Sequence, residues 1–154
     1  ADGAKRFSKG FAKARCALRL GPGAIDPAAP ILLCEGYATG LTLRMAIERR
    51  LTVFVALDAG NLGHVAAMLR ELYPEHRLLI AADDDWRTEG NPGRDKARQA
   101  AKALGRCDIV YPVFGADRGA KDTDFNDLHA RAGLGAVARQ LGGVVQALRQ
   151  RAAA

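Results

Sequence analysis

Arg77-Leu78-Leu79-Ile80-Ala81-Ala82-Asp83-Asp84-Asp85-Trp86, running on to Asn91-Pro92-Gly93, is the stretch that decides the fold. Its first half is a short apolar run, the pattern of a strand buried on both faces of a parallel sheet. It ends abruptly on three consecutive acids. Beyond them Ala97, Ala100, Ala101 and Leu104 recur at helical spacing. Asn91 is placed to cap that helix, and Pro92 suits its first turn. The acids therefore stand at the carboxyl end of a strand, in the βα turn where open α/β sheets bind ligands. Alternation along an extended segment aims Asp83 and Asp85 the same way. Two carboxylates directed at one point repel unless a cation lies between them. A hard ion such as Mg²⁺ takes one or two carboxylates and binds phosphate oxygens on its open side. Taken alone, the pair reads more readily as a solvated acidic turn; the strand before it and the acids elsewhere in the chain turn the reading towards a cation site.

The same order of strand, turn and helix recurs on either side. Ile31-Leu32-Leu33-Cys34 reads as a buried strand ending at Glu35-Gly36. A helix through about Glu48 follows, with Leu41, Met45 and Ala38 as its expected apolar face. Leu51 to Leu57 is a further strand, closed by Asp58-Ala59-Gly60-Asn61. The helix after it carries Leu62, Val65, Met68, Leu69 and Leu72 on one stripe and stops at Pro74. Asp58 reads as a turn residue bonding its own loop, with a supporting role beside the site that Asn61 shares. Cys107 to Val110 is the last strand. A loop then opens into Asp122-Thr123-Asp124-Phe125-Asn126-Asp127-Leu128, where Asp124 can cap a turn starting at Phe125. The final helix, about Leu134 to Arg149, places Leu134, Val137, Leu141, Val144, Val145 and Leu148 together. Gly142-Gly143 weakens it by about 1 kcal/mol each relative to Ala. With Cys16 to Leu20 as a short lead-in strand, the alternation implies an α/β fold. Its mainly parallel sheet has about four to five strands, flanked by helices on both faces.

Composition narrows the class. A chain of 154 residues suffices for one domain with a real core. Aromatics are only 6%, so Leu, Val, Ile and Ala must fill that core. A net charge of +6 favours polyanionic partners. Lys5, Arg6, Lys9, Lys13 and Arg15, interleaved with Phe7 and Phe11, suit a single strand of nucleic acid, or else form a solvated arm. Cys16, Cys34 and Cys107 lie far apart, which argues against a zinc ribbon or a disulfide framework and fits a reducing cytoplasm. No apolar run reaches transmembrane length, and no signal-peptide pattern is present, so a cytoplasmic location is expected. The chain does not begin with Met and is expected to be a piece of a longer protein.

Six pieces together resemble a known family. They are Lys5-Arg6-Phe7, Glu35-Gly36-Tyr37-Ala38-Thr39, Ala56-Leu57-Asp58-Ala59-Gly60-Asn61-Leu62, Ala82-Asp83-Asp84-Asp85, Gly90-Asn91-Pro92-Gly93 and Thr123-Asp124-Phe125-Asn126-Asp127-Leu128. In this order and spacing they resemble the Toprim domain shared by bacterial-type primases, type IA and type II topoisomerases and some nucleases. The details are most similar to the primases of plasmids and phages. The resemblance implies a catalytic Toprim domain over residues 31–150, with residues 1–30 a basic arm and lead-in strand of the primase core. It implies that Glu35 acts near the metals as general acid or base. It implies that Asp83 and Asp85 hold Mg²⁺ or Mn²⁺, and that Asp122, Asp124 and Asp127 supply a further carboxylate. Asp84, often absent from relatives, demands a cation or a basic neighbour such as Arg87.

The activity implied is DNA primase: metal-dependent nucleotidyl transfer that builds short RNA primers on single-stranded DNA from nucleoside triphosphates. Template and triphosphate would meet Lys5, Arg6, Lys9, Lys13, Arg94, Lys96 and Lys121. A helicase or other domains of a longer primase would be the partner. A Toprim-type metal-dependent nuclease and a non-catalytic nucleic-acid-binding fragment are the alternatives. A topoisomerase fits less well, because Tyr37, Tyr73 and Tyr111 lie on or beside the scaffold of the motifs.

Overall fold

Strand residues of this chain alternate between two separate cores, and that alternation builds the layers. The computed structural model describes residues 9, 10 and 12–152, with side chains described to residue 150. Lys5, Arg6, Phe7 and Phe11 lie outside the described residues. Five strands, β1 (Leu18–Leu20), β2 (Ile31–Cys34), β3 (Val53–Val55), β4 (Leu78–Ala81) and β5 (Cys107–Val110), form one sheet in the order β1-β3-β2-β4-β5. β2, β3, β4 and β5 run parallel, and β1 lies antiparallel on β3. The helices are α1 (Tyr37–Ala46), α2 (Ala59–Leu72), α3 (Pro92–Leu104), α4 (Phe125–Ala132) and α5 (Leu134–Ala152).

Leu32, Cys34, Val53, Val55, Leu79 and Ala81 pack against Leu43 of α1, Phe125 and Leu128 of α4, and Val137, Leu141 and Leu148 of α5. The intervening strand residues Ile31, Leu33, Phe54, Leu78 and Ile80 pack against Leu62, Val65 and Leu69 of α2 and Ala97 and Ala100 of α3. Both faces are covered, which is why the central strands read as unbroken apolar runs. β2 and β4 are neighbours at the centre. The helix leaving β2 goes to one face and the helix leaving β4 to the other. Where the helices diverge, a crevice opens at the carboxyl ends of the two strands, the switch point at which such sheets bind ligands. Glu35 follows β2 and Asp83 follows β4 by two residues.

The apolar face expected for α1 is corrected. Leu41 and Met45 are 40% and 43% exposed, while Thr39, Gly40, Thr42 and Leu43 face inward. The helical period is right and its phase is wrong, because this helix meets its neighbours closely and through polar groups. A Cβ at Gly40 would lie 2.6 Å from Val55 Cγ2. Thr39 and Thr42 donate to Asp124 and Asn126. The turn expected at Phe125 is a full helix, α4, opened by a reciprocal cap between Asp124 and Asp127. Among the described residues, no helix is long and apolar enough to cross a membrane.

Asp58 and Asn61 do the anchoring that their turn motif suggested. The Asp58 carboxylate caps α2 by accepting from the Asn61 amide at 3.1 Å, and it pairs with Lys13 at 2.7 Å. Asn61, 1% exposed, donates to the carbonyls of Ala56 and Cys16 at 2.8 Å and accepts from the Arg15 amide at 3.0 Å. Residues 13–16 are thereby fastened to the start of α2. Burial alone would raise the Asp58 carboxyl. The Lys13 ammonium and the Asn61 and Gly60 amides outweigh it and hold the group below the usual carboxylate range. A depressed native value stabilises the fold above the unfolded value of about 3.9, and that stability is lost as pH falls through the native value. Asp58→Ala is therefore expected to cost about 1–2 kcal/mol at neutral pH through loss of the cap. In urea melts the gap to wild type should narrow as the pH drops below about 4.

Candidate active site

Three chain segments meet at the switch point. Cys34 pairs with Ala81 across β2 and β4, so Glu35 and Asp83 leave neighbouring strands set about 4.8 Å apart. The Leu57 amide donates to the Glu35 carbonyl at 2.9 Å, and the Ala82 amide to the Val110 carbonyl at 3.0 Å, which carries the ladder to the strand ends. The third segment is tied to both. The Asp84 amide donates to the Thr123 carbonyl at 2.7 Å, and the Thr39 hydroxyl donates to Asp124. Buried Cys34 lies beneath the convergence. Burial pushes its thiol well above the ordinary value, and the negative charges of Asp83, Asp124 and Glu35 push it further. These three carboxylates, distant in sequence, share one electrostatic neighbourhood. Burial likewise raises the Asp124 carboxyl against the opposing bonds from Thr39 and the Asp127 and Asn126 amides.

The remaining acids are occupied in other ways. Asp85 accepts from the Gly93 amide at 2.9 Å, closing the turn on itself. Only glycine fits there, since a Cβ at position 93 would lie 2.6 Å from the Asp83 carbonyl oxygen. Asp127 accepts from the amides of Thr123 and Asp124 at 2.8 and 3.2 Å, and Asp124 accepts in return from the Asp127 amide at 2.8 Å. Asp122 is held by Arg131 and by the Gly119 amide.

Asp84 turns inward and is 3% exposed. Its carboxylate accepts from Asn91 Nδ2 at 2.7 Å, Arg94 Nη2 at 3.1 Å and Arg118 Nη1 at 2.8 Å. Arg118 Nη2 donates as well to the carbonyls of Asp84 and Asp122 at 2.8 Å. The Arg118 guanidinium stands 4.6 Å from the Phe114 ring centre and 5.0 Å from that of Trp86, and Arg94 stands 4.5 Å from that of Tyr111. Burial alone would raise the Asp84 carboxyl. Asn91, Arg118 and Arg94 outweigh it and hold the group below the usual range. The expectation of Arg87 as the basic neighbour is thus corrected: Arg87 lies over the Trp86 ring at 4.6 Å. Strand alternation sends Asp84 into the protein, where Asn91 at the end of its own turn, Arg94 of α3 and Arg118 of the loop after β5 reach it.

Of the basic residues singled out from sequence, Arg94 is engaged with Asp84 and Lys13 with Asp58. Lys9, Lys96 and Lys121 are exposed. Lys96 borders a shallow cleft between α2 and α3 with Gly60, His64 and Gln99, and Lys121 lies in the loop leading to Asp124. Among the described residues, no three His, Cys, Asp or Glu side chains are already arranged around one point as metal ligands. The donor chemistry nonetheless fits a hard divalent ion. Glu35, Asp83 and Asp124 offer carboxylate oxygens only, and their shared negative field reaches Cys34.

A Toprim domain profile matches residues 30–135, more than half of the chain. The chain belongs to the Toprim family. Two proteins from Escherichia coli, both named DNA primase TraC, resemble it. One is 42% and the other 40% identical over 118 residues, which is 73% of this chain. The chain spans only 11% and 8% of the length of these relatives. Among solved structures, the primase fragment of the bacteriophage T7 primase-helicase protein is similar at a TM-score of 0.56. The match has 19% identity and covers 73% of this chain and 43% of that one. That likeness is one of fold, and it agrees with the α/β Toprim architecture described above.

Removing the inward carboxylate should expose how much the Toprim turn depends on it. Asp84→Ala leaves two guanidinium groups without their shared counter-charge and is expected to lower stability by about 2–3 kcal/mol. That is below the usual figure for a broken buried pair, because Arg94 keeps contact with water. Urea denaturation of Asp84→Ala, Arg118→Ala and the double variant should return a coupling energy above about 1 kcal/mol.

Proposed function

We propose that this chain is the catalytic Toprim core of a DNA primase, joining nucleotides into short RNA primers on single-stranded DNA. The observation that carries the reading is that the segments bearing Glu35, Asp83 and Asp124 are tied together at one end of the sheet, through the Cys34–Ala81 pairing and the bonds of the Asp84 amide to Thr123 and of Thr39 to Asp124. The likeness to the two TraC primases supports the choice of reaction. In this reading Asp83, Asp85 and a carboxylate of the late motif, Asp124 or Asp127, hold Mg²⁺ or Mn²⁺. Such ions, when bound, acidify the attacking 3′-hydroxyl and neutralise the pyrophosphate leaving group. Glu35 takes the proton of that hydroxyl. The 3′-oxygen forms its bond to the α-phosphorus as the bond to the β-phosphate bridge breaks and pyrophosphate departs. Asp84, with Arg94 and Arg118, keeps the turn that presents Asp83 and Asp85 from moving.

Residues 31–150 are taken as the catalytic domain, with residues 1–30 a basic extension of the same core. Lys5, Arg6, Lys9, Lys13, Lys96 and Lys121 are taken as contacts to template and triphosphate, with Asp58 and Asn61 supporting the site from behind. A helicase, or further domains of a longer bacterial primase in the cytoplasm, would complete the machine.

The test is primer synthesis on single-stranded DNA with nucleoside triphosphates and Mg²⁺ or Mn²⁺. Asp83→Asn, Asp85→Asn and Glu35→Gln should each reduce labelled primer by about a hundredfold or more while circular dichroism stays native. Undiminished synthesis by Asp83→Asn and Glu35→Gln would refute the assignment. Metal-dependent loss of a labelled strand without added nucleotides would mark a nuclease instead. Strand binding in EDTA with no turnover under either metal would leave a binding module.

A further inference from the structure

Trp86 is the single tryptophan of the chain. It belongs to neither core and is 41% exposed. A lone exposed apolar side chain signifies little in itself. What distinguishes this one is how and where it is mounted. Trp86 directly follows Asp85, in the turn after β4. Its amide donates to the Asp84 carbonyl at 2.7 Å, and the Thr88 amide donates to the Asp85 carbonyl at 2.7 Å, so the backbone beneath the indole is fixed.

Two guanidinium groups lie over the ring, and a base stacking there would take the place of the exposed one. Arg118, 5.0 Å from its centre, is itself immobilised by Asp84 and by the Asp122 carbonyl. Arg87, 4.6 Å from its centre, is exposed. The inner arginine anchors the ring to the acidic turn, and the outer one stays available to an anion. The nearby Lys121 is exposed too, and the chain as a whole is basic.

An aromatic ring with cations at hand is the equipment with which proteins grip single strands, bases on rings and phosphates on cations, largely without regard to sequence. We propose that Trp86 is a stacking platform for one base of a single-stranded nucleic acid, with Arg87 contacting the adjoining phosphate. The assignment rests on the primase reading in that the strand is the one led past Glu35, Asp83 and Asp124. Stacking itself needs neither metal nor turnover.

Because the chain has no other indole, its emission reports the contact directly. An oligothymidylate is titrated into the full chain at low salt in EDTA. Tryptophan emission is followed in parallel with the anisotropy of a labelled strand. The emission should be quenched to saturation with the midpoint that anisotropy gives. Trp86→Phe should keep wild-type affinity within about threefold. Trp86→Ala should weaken binding about tenfold, the range expected for losing one stacked base. Arg87→Gln should weaken binding and flatten its salt dependence. Circular dichroism and urea melts of each variant separate these losses from misfolding. Binding with unchanged emission and with wild-type affinity in Trp86→Ala would overturn the proposal, and so would failure to bind any strand. Quenching by a nucleoside triphosphate but not by the oligonucleotide would overturn it as well, moving the ring to the incoming nucleotide. Asp83→Asn should abolish primer synthesis and leave the quenching in EDTA intact, so failure of stacking and failure of the primase reading show up in different experiments.

Discussion

A carboxylate placed almost wholly out of water is costly unless charge and hydrogen bonds compensate it. Asp84 receives that compensation from three side chains at once, Asn91, Arg94 and Arg118. Its partners come from the turn after β4, the first turn of α3 and the loop after β5. One buried charge therefore joins the strand exit to the helix that follows and to the segment that delivers Asp124. Asp83 and Asp85 flank Asp84 on either side, and the grip on Asp84 holds the turn that carries them. A neutral residue in its place would leave the loop after β5 tied to the turn only through the backbone of residue 84, without the charge that holds both arginines.

The second constraint is the closeness of α1 to the sheet. Gly40 lets the helix approach Val55 at a distance no side chain would allow. That approach brings Thr39 within hydrogen-bonding reach of Asp124. The polar inner face of α1 is thus the bridge between the first acidic motif and the last. It also accounts for the exposure of Leu41 and Met45, the residues an amphipathic reading would bury. Burial is won here by proximity of backbones and by satisfied hydroxyls rather than by large apolar side chains.

Much of the architecture was legible because period-two and period-3.6 patterns are local. The runs ending at Cys34, Ala81 and Val110 gave their strands to within a residue or two, and Asn91-Pro92 and Asp124 marked the starts of two helices. That β1 would lie antiparallel on the edge was not legible, since pairing partners are chosen in three dimensions. For the site, the type and order of acids indicated where a cation would be needed. Sequence could not sort the acids by job. Asp124 and Asp127 look equivalent as letters, yet Asp127 accepts from the amides of its own turn through Oδ2, while Asp124 gives one oxygen to the Asp127 amide and the other to Thr39 of α1. Arg118 was one base among several in a loop. The signal that selects it is the inward phase of Asp84, which requires a partner from outside its own turn.

This division of labour shapes the field at the rim. Asp84 is balanced by Arg94 and Arg118, Asp122 by Arg131 and Asp58 by Lys13. Each structural acid is matched by a local base, so it adds little to the potential outside. Burial raises the Cys34 thiol first, and the charges of Asp83, Asp124 and Glu35 raise it further, so the three acids make a local negative neighbourhood within a chain of net charge +6. A polyanion approaching from solvent meets an overall basic body and is attracted to it. At the crevice it meets carboxylates that repel it. On the primase reading, a divalent cation held there would reverse that local sign, so attraction at long range and admission at short range would be set by different charges.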